Sequence, residues 1–425
     1  MKDNKIKDSK LLTILFPLLG LYYSIFKLNW RQKKWVLIIF ITIFGSIMQF
    51  PENSDAETHK ENVYSHYVGL SKHKFFNELK HIITLDPLPQ SNDDVYIHVI
   101  SYLTGSILNW PSLFFIIVSF IFGYFYINAL SKILKWNKNV KIQIISILLI
   151  LLFIIYRGID SMQSIRSWTG AWVLFNGVVG YFQTKQKKYW LFILSSPLIH
   201  AAYFLMAIPA YLIVLFNNKI PFKIIIFFYF ASFLITIPSE PIIQQLNRTE
   251  LGQNKVRSYY TENKNQNEIE MQEGNWYVKY GKKKALHWGS NFMAFTLILF
   301  GFYEKKMTRL EAGLFSTGLL MAIFANLGDF FYAFYNRTMI NSGLYILATT
   351  ILLTTRGQLF NKTSGNLILK KIMIWISILI FIPKIVYTIA NLLYYTSIYI
   401  FAFPFIGWID SDLNVSIREV ISLLI

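Results

Sequence analysis

Long apolar runs alternate with short polar connections along almost the whole chain. About a dozen runs of roughly 16 to 20 residues recur, and each is close to the length that a helix needs to cross a hydrocarbon core of about 30 Å. The clearest of them predict membrane spans over residues 11–28, 34–50, 111–131, 142–156, 168–182, 222–237, 288–303, 312–327, 339–355 and 372–390. The pattern therefore predicts an all-α, polytopic integral membrane protein with about 11–13 transmembrane helices.

Two long polar insertions, over residues 51–109 and 238–287, interrupt this pattern. Both mix aromatic, charged and amphipathic stretches, such as NVYSHYVGLSKHKFFNELKHII in the first, which are typical of ordered surface helices rather than of flexible linkers. No internal repeat is evident along the sequence. We therefore predict a single polytopic membrane domain over residues 1–425 with two elaborated loops.

The apolar run over residues 188–216 decides the predicted orientation of the chain. As one helix it would be about 43 Å long, which is too long for a single crossing unless the helix is steeply tilted. Pro197 offers a break, because proline lacks a backbone N–H and disturbs the preceding turn. We interpret the run as a broken helix pair that turns at SSPLIH. His200 then faces a cavity, since irregular backbone at membrane depth needs protein or water around it.

The broken pair places the basic clusters of the chain on one face. Clusters that begin at Arg31, Lys132, Lys185, Glu304 and Arg356 then share a side, which the positive-inside rule makes cytoplasmic. A single span over residues 188–216 would instead divide these clusters between the two sides. The broken pair makes both insertions extracytoplasmic, together with the short connections YRGIDSMQSIRSW and NLGDFFYAFYNR.

Composition supports a membrane protein and narrows its chemistry. Hydrophobic residues make up 54% of the 425 residues and charged residues 15%, so the chain has more apolar surface than a soluble domain of this size could bury. The net charge of +18 comes mostly from basic residues between spans, which is the positive-inside pattern and predicts no nucleic-acid partner. No cysteine is present, which excludes disulfides, a thiol nucleophile and a Cys-ligated metal. The opening MKDNKIKDSK and the apolar run after it predict a first membrane segment rather than a cleaved signal peptide, because no small-residue cleavage pattern follows.

Polar residues at the predicted outer membrane boundary form the candidate site. They are Arg157, Arg166, Arg337, His200, Asp160 and Asp329. The arginines are exceptions to the positive-inside rule, because they lie on the predicted outer side. An arginine at such a boundary either reaches lipid headgroups or binds an anion. Guanidinium groups match phosphate oxygens bidentately and stay charged. The set therefore predicts a phosphate site, with headgroup anchoring as the alternative for each single arginine.

The sequence around these residues resembles the EpsG and Wzy-type polysaccharide polymerases. YRGIDSMQSIRSWTGAWVLFNGVVGYFQTKQKKYWLFILSSPLIHAAYFLMAIPAYLI is similar to that family in an arginine that opens a span, a Lys-rich turn and a short apolar arm that ends in histidine. DPLPQSNDDVYIHVISYLTG is similar to the acidic and aromatic outer segment of the family, and FFYAFYNRTMINSGLYIL to its later arginine-opened span. The resemblance extends over residues 86–353.

The resemblance implies a membrane glycosyltransferase of the bacterial cytoplasmic (inner) membrane that works on the extracytoplasmic face. A growing glycan would leave undecaprenyl diphosphate and join a hydroxyl of the next lipid-linked repeat unit, in O-antigen, capsule or exopolysaccharide synthesis. Such a transfer needs a base near the acceptor hydroxyl and cations at the departing diphosphate, and arginines supply the cations without a metal or other cofactor. The implied partners are undecaprenyl diphosphate-linked oligosaccharides, membrane lipid, a flippase and a chain-length regulator.

The resemblance also implies roles for the outer polar residues. Arg166 and Arg337 would bind the diphosphate with help from Arg157, and His200 would act as the base or orient the acceptor. Asp160 would hold the arginines. A simpler alternative for His200 is a hydrogen bond to a carbonyl that the helix break frees.

Three further residues complete the predicted substrate site. Asp329 would, like the other outer aspartate, hold the arginines. Tyr259 and Tyr260 lie in SYYTENKNQNEIEMQEG of the second insertion, where aromatic faces and carboxylates suit sugar rings and hydroxyls. A solvated loop is the alternative for this segment.

Other patterns in the first insertion point to structure rather than to chemistry. His59, His66 and His73 recur every seven residues, but seven helical residues rise about 10.5 Å, too far for one metal ion. They predict a solvated or headgroup-facing helical stripe. The NDD stretch at residues 92–94 is more typical of a turn or a helix cap than of a metal site.

Two other functions are compatible with the sequence. A lipid-linked glycan flippase would carry charge deep in a cavity between two similar halves and would have short loops. A membrane acyltransferase that modifies polysaccharide could also use His200. The charge at one face and the two long insertions favour the polymerase.

Overall fold

The computed structural model describes residues 2–50, 54–84, 88, 92, 94–135, 143–248, 253, 274–302, 307–360, 367–409 and 414–424. These residues form helices joined by turns, and the β-type pairing among them is a single bridge between Ser397 and Ser416. The predicted all-α fold class is therefore confirmed.

The helices of the first half of the chain are short except where they carry long apolar runs. They are α1 (Lys2–Leu15), α2 (Pro17–Lys27), α3 (Trp30–Ser46), α4 (Asp55–Asn62), α5 (Lys72–Ile83), α6 (Val95–Tyr102), α7 (Leu113–Lys135), α8 (Ile144–Tyr156), α9 (Ile165–Thr184), α10 (Tyr189–Ile199), α11 (Tyr203–Met206) and α12 (Ile208–Leu215). π-helical turns over Val63–Tyr67 and Leu103–Ile107 extend α4 and α6, and a 3-10 turn over Ile159–Ser164 leads into α9.

The second half contributes the most deeply buried helix. Its helices are α13 (Phe222–Ala231), α14 (Ser239–Leu246), α15 (Trp276–Gly281), α16 (Lys284–Leu299), α17 (Arg309–Leu327), α18 (Tyr332–Thr355), α19 (Leu367–Ile380), α20 (Ile382–Tyr395), α21 (Ile406–Ile409) and α22 (Ile417–Leu424). The apolar stretch of α18 is 100% buried, whereas that of α19 and α20 is 39% buried. Thus α18 is central, and α19 and α20 lie at the surface of the bundle.

Five stretches of the described residues are long and apolar enough to cross a membrane. They are Leu113–Leu134, Ile144–Thr184, Arg309–Leu327, Tyr332–Thr355 and Leu367–Tyr395. The prediction of a membrane protein is supported at this level. Shorter apolar helices, such as α10 and α13, accompany these five.

The first predicted span, over residues 11–28, is not one helix. The chain kinks at Phe16 between α1 and α2, because Pro17 starts a new helix at its first position. The two helices approach so closely at the kink that a Cβ atom on Gly20 would lie 2.3 Å from Thr13 Oγ1. Glycine at this position therefore allows the fold of the amino-terminal segment.

The run over residues 188–216 contains a break, and the break lies at His200. Helix α10 passes through Pro197 and ends at Ile199, after which His200 is extended. Pro197 cannot donate to the Ile193 carbonyl, and the hydroxyl of Ser196 and that of Tyr211 donate to it instead, at 2.8 and 3.2 Å. Proline is therefore tolerated inside α10, and the break occurs three residues later than predicted.

The helix termini define two ends of the bundle. At one end, Arg309 at the start of α17 donates to Asn217 Oδ1 at 2.7 Å, and its guanidinium lies over the ring of Tyr181 near the end of α9. We call the other end, where α9 and α18 begin and where the chain breaks at His200, the site end. Helices α4 and α6 of the first insertion pack there.

Candidate functional site

Asp94 is the centre of an ionic network at the site end. Its Oδ2 atom accepts hydrogen bonds from Arg166 Nη1 at 2.9 Å and from His200 Nδ1 at 3.1 Å. Its Oδ1 atom accepts from the backbone N–H of Ala201 at 2.7 Å. The Asp94 side chain is 1% exposed. The network therefore joins the first insertion, the helix break and the start of α9 out of reach of solvent.

The local structure of two segments explains the position of this carboxylate. Asp94 is the N-cap residue of α6, yet its side chain makes no capping hydrogen bond. The break after α10 leaves the Ala201 N–H without a helical partner, and Asp94 accepts it. The prediction of a turn or cap for the NDD stretch is thus right for the position of Asp94 and wrong for its side chain.

Asp94 is held in its charged form. Burial alone would raise the pKa of this carboxyl. The hydrogen bond from His200, the charge of Arg166 and the hydrogen bond from Ala201 outweigh burial and place the pKa well below its usual range. Asp94 is therefore an anion that orients the groups bound to it.

Arg337 binds the other side of the His200 ring. Its Nη1 atom donates to His200 Nε2 at 3.0 Å. Because a guanidinium has only donors, Nε2 is the acceptor and Nδ1 carries the proton that His200 donates to Asp94. Burial lowers the pKa of His200 below its ordinary value of 6.5, and Asp94 opposes this only in part. The ring is thus neutral in a defined tautomer, and its contacts are Asp94 and Arg337 rather than a freed carbonyl.

Arg166 connects the network to the start of α4. Its Nη2 atom donates to Asp55 Oδ1 at 3.0 Å. His59, one turn further along α4, is buried beside this pair, and burial followed by the charge of Arg166 lowers its pKa to about 4. Both ends of the first insertion, through Asp55 and Asp94, therefore hold the same guanidinium.

A cationic cavity of about 280 Å³ lies beside the network. Its charged lining residues are Arg157, Arg337, Lys282, Lys283 and Asp160. The single carboxylate among them is bound by a further cation from α20, Lys384, whose Nζ lies 3.2 Å from Asp160 Oδ2. Arg337 belongs to both the network and the cavity. The excess of positive charge in a confined space suits an anionic ligand.

Arg157 is held at the cavity by an aromatic side chain. Its guanidinium lies 3.9 Å from the centre of the Trp168 ring, and its backbone carbonyl accepts from Trp172 Nε1 at 3.2 Å. The Nε atom of Arg157 is buried without a hydrogen-bond partner in the described part of the chain. The Arg157 head group is therefore positioned without being neutralised by a hydrogen-bonded carboxylate.

The structure places the two aspartates differently. Asp160 pairs with Lys384 and forms no ion pair with an arginine among the described residues. Asp329 is exposed in the turn between α17 and α18. Tyr259 and Tyr260 lie outside the described residues. The structure thus brings together Arg166, His200 and Arg337, and places Arg157 and Asp160 around the adjoining cavity.

The histidines of the first insertion are not a solvated stripe. His66 Nε2 lies 3.0 Å from Glu78 Oε1, and the hydroxyl of Tyr67 lies 2.7 Å from His98 Nδ1 in a buried cluster. His73 alone of the seven-residue series is exposed. Over the described ranges, no group of three or more His, Cys, Asp or Glu side chains is placed to hold a metal ion. His66 and His98 therefore stabilise the insertion.

Several residues of the site were missed from the sequence. Lys282 and Lys283 fall on the predicted outer side and break the charge rule as the arginines do, so the same argument would have found them. Lys384 is a lone cation in an apolar run, which by itself marks a site in a membrane protein. Asp94 and Asp55 carry no comparable signal, because their partners lie far away in sequence.

No family model, characterised protein or solved structure matches this chain.

Proposed function

We propose that this protein polymerises lipid-linked oligosaccharide repeat units. It would transfer a growing glycan from undecaprenyl diphosphate to the next lipid-linked repeat unit in O-antigen, capsule or exopolysaccharide synthesis. The observation that carries the proposal is the cationic cavity, because Arg337 is shared between this cavity and a neutral, oriented histidine. The resemblance to the EpsG and Wzy-type polymerases supports the same function.

The cavity is the proposed diphosphate site. A diphosphate carries several anionic oxygens, and its charge grows as it leaves the sugar. Arg157 and Arg337 would bind these oxygens through their planar guanidinium groups, and Lys282 and Lys283 would add charge from the end of the second insertion. Lys384 would keep Asp160 from repelling the ligand. This division of roles needs no metal ion.

His200 is the proposed base. The acceptor hydroxyl oxygen attacks C1 of the sugar that links the growing glycan to its carrier. The bond between C1 and the phosphate oxygen breaks, and undecaprenyl diphosphate leaves with the bonding electrons. The hydroxyl proton goes to Nε2 of His200, which Arg337 vacates when its guanidinium turns to the diphosphate. Ligand binding would thus free the base at the point where it is needed.

Asp94 and Arg166 are the proposed positioning residues. Asp94 would keep the proton on Nδ1 and stabilise the imidazolium that forms when Nε2 accepts a proton. Arg166 forms ion pairs with Asp94 and Asp55. We therefore assign it to holding Asp94 in place rather than to binding the diphosphate. The proposed location is the extracytoplasmic side of the bacterial cytoplasmic membrane, where a flippase would deliver repeat units and a chain-length regulator would act on the product.

The glycan ladder of a strain that lacks the protein tests this function. The polymerase predicts that single lipid-linked repeats accumulate outside the cytoplasmic membrane, and that the wild-type gene restores the ladder while the gene with Arg337→Lys does not. An ammonium cannot reproduce the guanidinium geometry, and the matched variant Lys72→Arg, on the exposed face of α5, should restore the ladder fully. Repeats trapped inside the cell would identify a flippase. Full-length chains that lack a decoration would identify an acyltransferase or another modifying enzyme.

A further inference from the structure

A second cavity lies at the site end and is lined in part by α4 and its π-helical turn. Its volume is about 380 Å³, within the range of roughly 300–1,000 Å³ that is usual for ligand sites. The end of α3, α4 with its π-helical turn, the start of α7 and the segment around α21 enclose it. Helix α4 therefore contributes Asp55 to the ionic network. Lys60 and Tyr64, about 7–14 Å further along the helix axis, line this cavity.

The lining of this second cavity combines aromatic rings with polar groups. Its polar and aromatic members include Lys60, Tyr64, Ser112, Trp408 and Asn414. The hydroxyl of Tyr64 lies 3.1 Å from Ser112 Oγ, and the ring of Tyr64 is half exposed. Trp408 is fixed by a hydrogen bond of 2.9 Å from its Nε1 to Ser46. Rings held at defined angles beside polar groups are suited to a ligand with both apolar faces and hydroxyls.

Asn414, one of the lining residues, has a polar atom without a hydrogen-bond partner in the part of the chain that the structure describes. Asn414 Nδ2 donates to the Ile47 carbonyl at 3.0 Å, which fixes the orientation of the amide. Asn414 Oδ1 is buried without a hydrogen-bond partner among the described residues. A buried acceptor without a donor costs free energy, and a ligand hydroxyl would remove that cost. Lys60, 40% exposed and 3.4 Å from Glu57, adds a donor at the rim.

We propose that this second cavity binds a sugar portion of the lipid-linked substrates, at the end of the bundle that also carries the ionic network. The apolar faces of sugar rings would pack on Tyr64 and Trp408, and sugar hydroxyls would bond to Asn414, Lys60 and Ser112. The inference rests on the proposed function for the identity of the glycan. It extends that function, because it assigns a separate carbohydrate site formed by the first insertion and the carboxy-terminal segment.

Direct binding of a lipid-free probe tests the inference. The probe is the oligosaccharide repeat released by mild acid from its carrier in the strain that makes this protein, titrated by calorimetry into the full chain in nanodiscs. Ser112→Trp should fill the cavity and weaken binding at least about tenfold, and Tyr64→Ala should weaken it about fivefold. Tyr22→Ala, at a tyrosine of α2 that is 64% exposed against 50% for Tyr64, is the control and should bind as the unmodified protein does.

The outcomes separate this inference from the proposed function. Unchanged affinity in both Ser112→Trp and Tyr64→Ala would overturn the carbohydrate site, even if the deletion strain accumulates single repeats. Tyr64→Ala removes an exposed side chain, so it gives a result even if Ser112→Trp does not fold. Specific binding that both variants lose would support the site, even if the deletion strain makes a full-length ladder and the polymerase proposal fails.

Discussion

At the scale of single residues, His200 divides its two ring nitrogens between an anion and a cation. Asp94 accepts from Nδ1 and Arg337 donates to Nε2, so the ring has one tautomer and one orientation. A histidine that only filled the helix break would not need two charged partners. Under the proposed mechanism, Nε2 is the atom that accepts a proton once Arg337 moves.

The first prediction concerns the imidazole itself. His200→Ala should lower the turnover of purified protein on lipid-linked repeat units by about 100-fold or more, the usual contribution of a general base. Binding of the lipid-linked substrate should remain nearly intact, because the cavity cations are unchanged. His73→Ala, at the exposed histidine of α5, is the control and should keep full turnover. Normal polymer synthesis by His200→Ala would make His200 structural and move the search for the base to the carboxylates.

The second prediction concerns pH. The pKa of His200 lies below 6.5 because the ring is buried, so Nε2 stays unprotonated at and above neutral pH. The value of kcat/KM, which reports the free protein, should be flat above about pH 6.5 and should fall as pH drops through the lowered pKa, where the base becomes protonated. Asp94 raises the pKa of His200, so Asp94→Asn should move this fall to still lower pH while reducing the plateau value. Identical profiles for the two proteins, measured as kcat/KM against pH, would contradict the assigned coupling.

The positions of the site residues show where the sequence ceases to be informative. Arg166, His200 and Arg337 were predicted together because each is a polar residue at one membrane boundary, and hydropathy locates that boundary. Asp94 could not be recognised as the common partner of Arg166 and His200, because its contacts with them span 72 and 106 residues. Such a contact depends on how the first insertion packs on the bundle, which no local pattern encodes.

At the scale of elements, the length of the apolar runs predicted most of the long helices but not the positions at which the runs are interrupted. The run at residues 11–28 is long enough for one span, yet Pro17 and the close approach at Gly20 divide it. In the run after Lys188, Pro197 predicted a break at its own position, but the break lies at His200. Pro197 stays inside α10 because two hydroxyls serve the Ile193 carbonyl, and the chain breaks where Asp94 binds the Ala201 N–H.

The third prediction follows from this account of the helix break. Pro197→Ala should leave turnover within about twofold and change the unfolding temperature by only a few degrees, because alanine restores a donor for the Ile193 carbonyl. Asp94→Ala should lower the unfolding temperature strongly, since it leaves buried partners uncompensated. Thermal unfolding and turnover of the two purified variants provide the measurement. If Pro197→Ala were as inactive as His200→Ala, proline rather than Asp94 would set the break.

At the scale of the whole molecule, charge is divided between the two ends of the bundle. The end that carries Arg309 also carries the lysines of the turn after α9, which follows the positive-inside pattern. The site end carries cations as well: Arg157, Arg337, Lys282 and Lys283 line a cavity, and Arg166 is bound to carboxylates. Under the proposed function, positive charge sets the orientation at one end and binds the ligand at the other.

The last prediction tests that division by labelling. The chain contains no cysteine, so single cysteines report single positions. His73→Cys and Asp329→Cys place exposed thiols at the site end, and Lys187→Cys places one at the opposite end. A membrane-impermeant thiol reagent should label the first two in intact cells and the third only after the membrane is opened, because basic connections stay in the cytoplasm. All three residues are exposed, so differences in burial cannot produce this pattern. Labelling of Lys187→Cys in intact cells, with His73→Cys and Asp329→Cys protected, would invert the topology and put the cavity on the cytoplasmic side, where a polymerase that acts outside the cell could not use it.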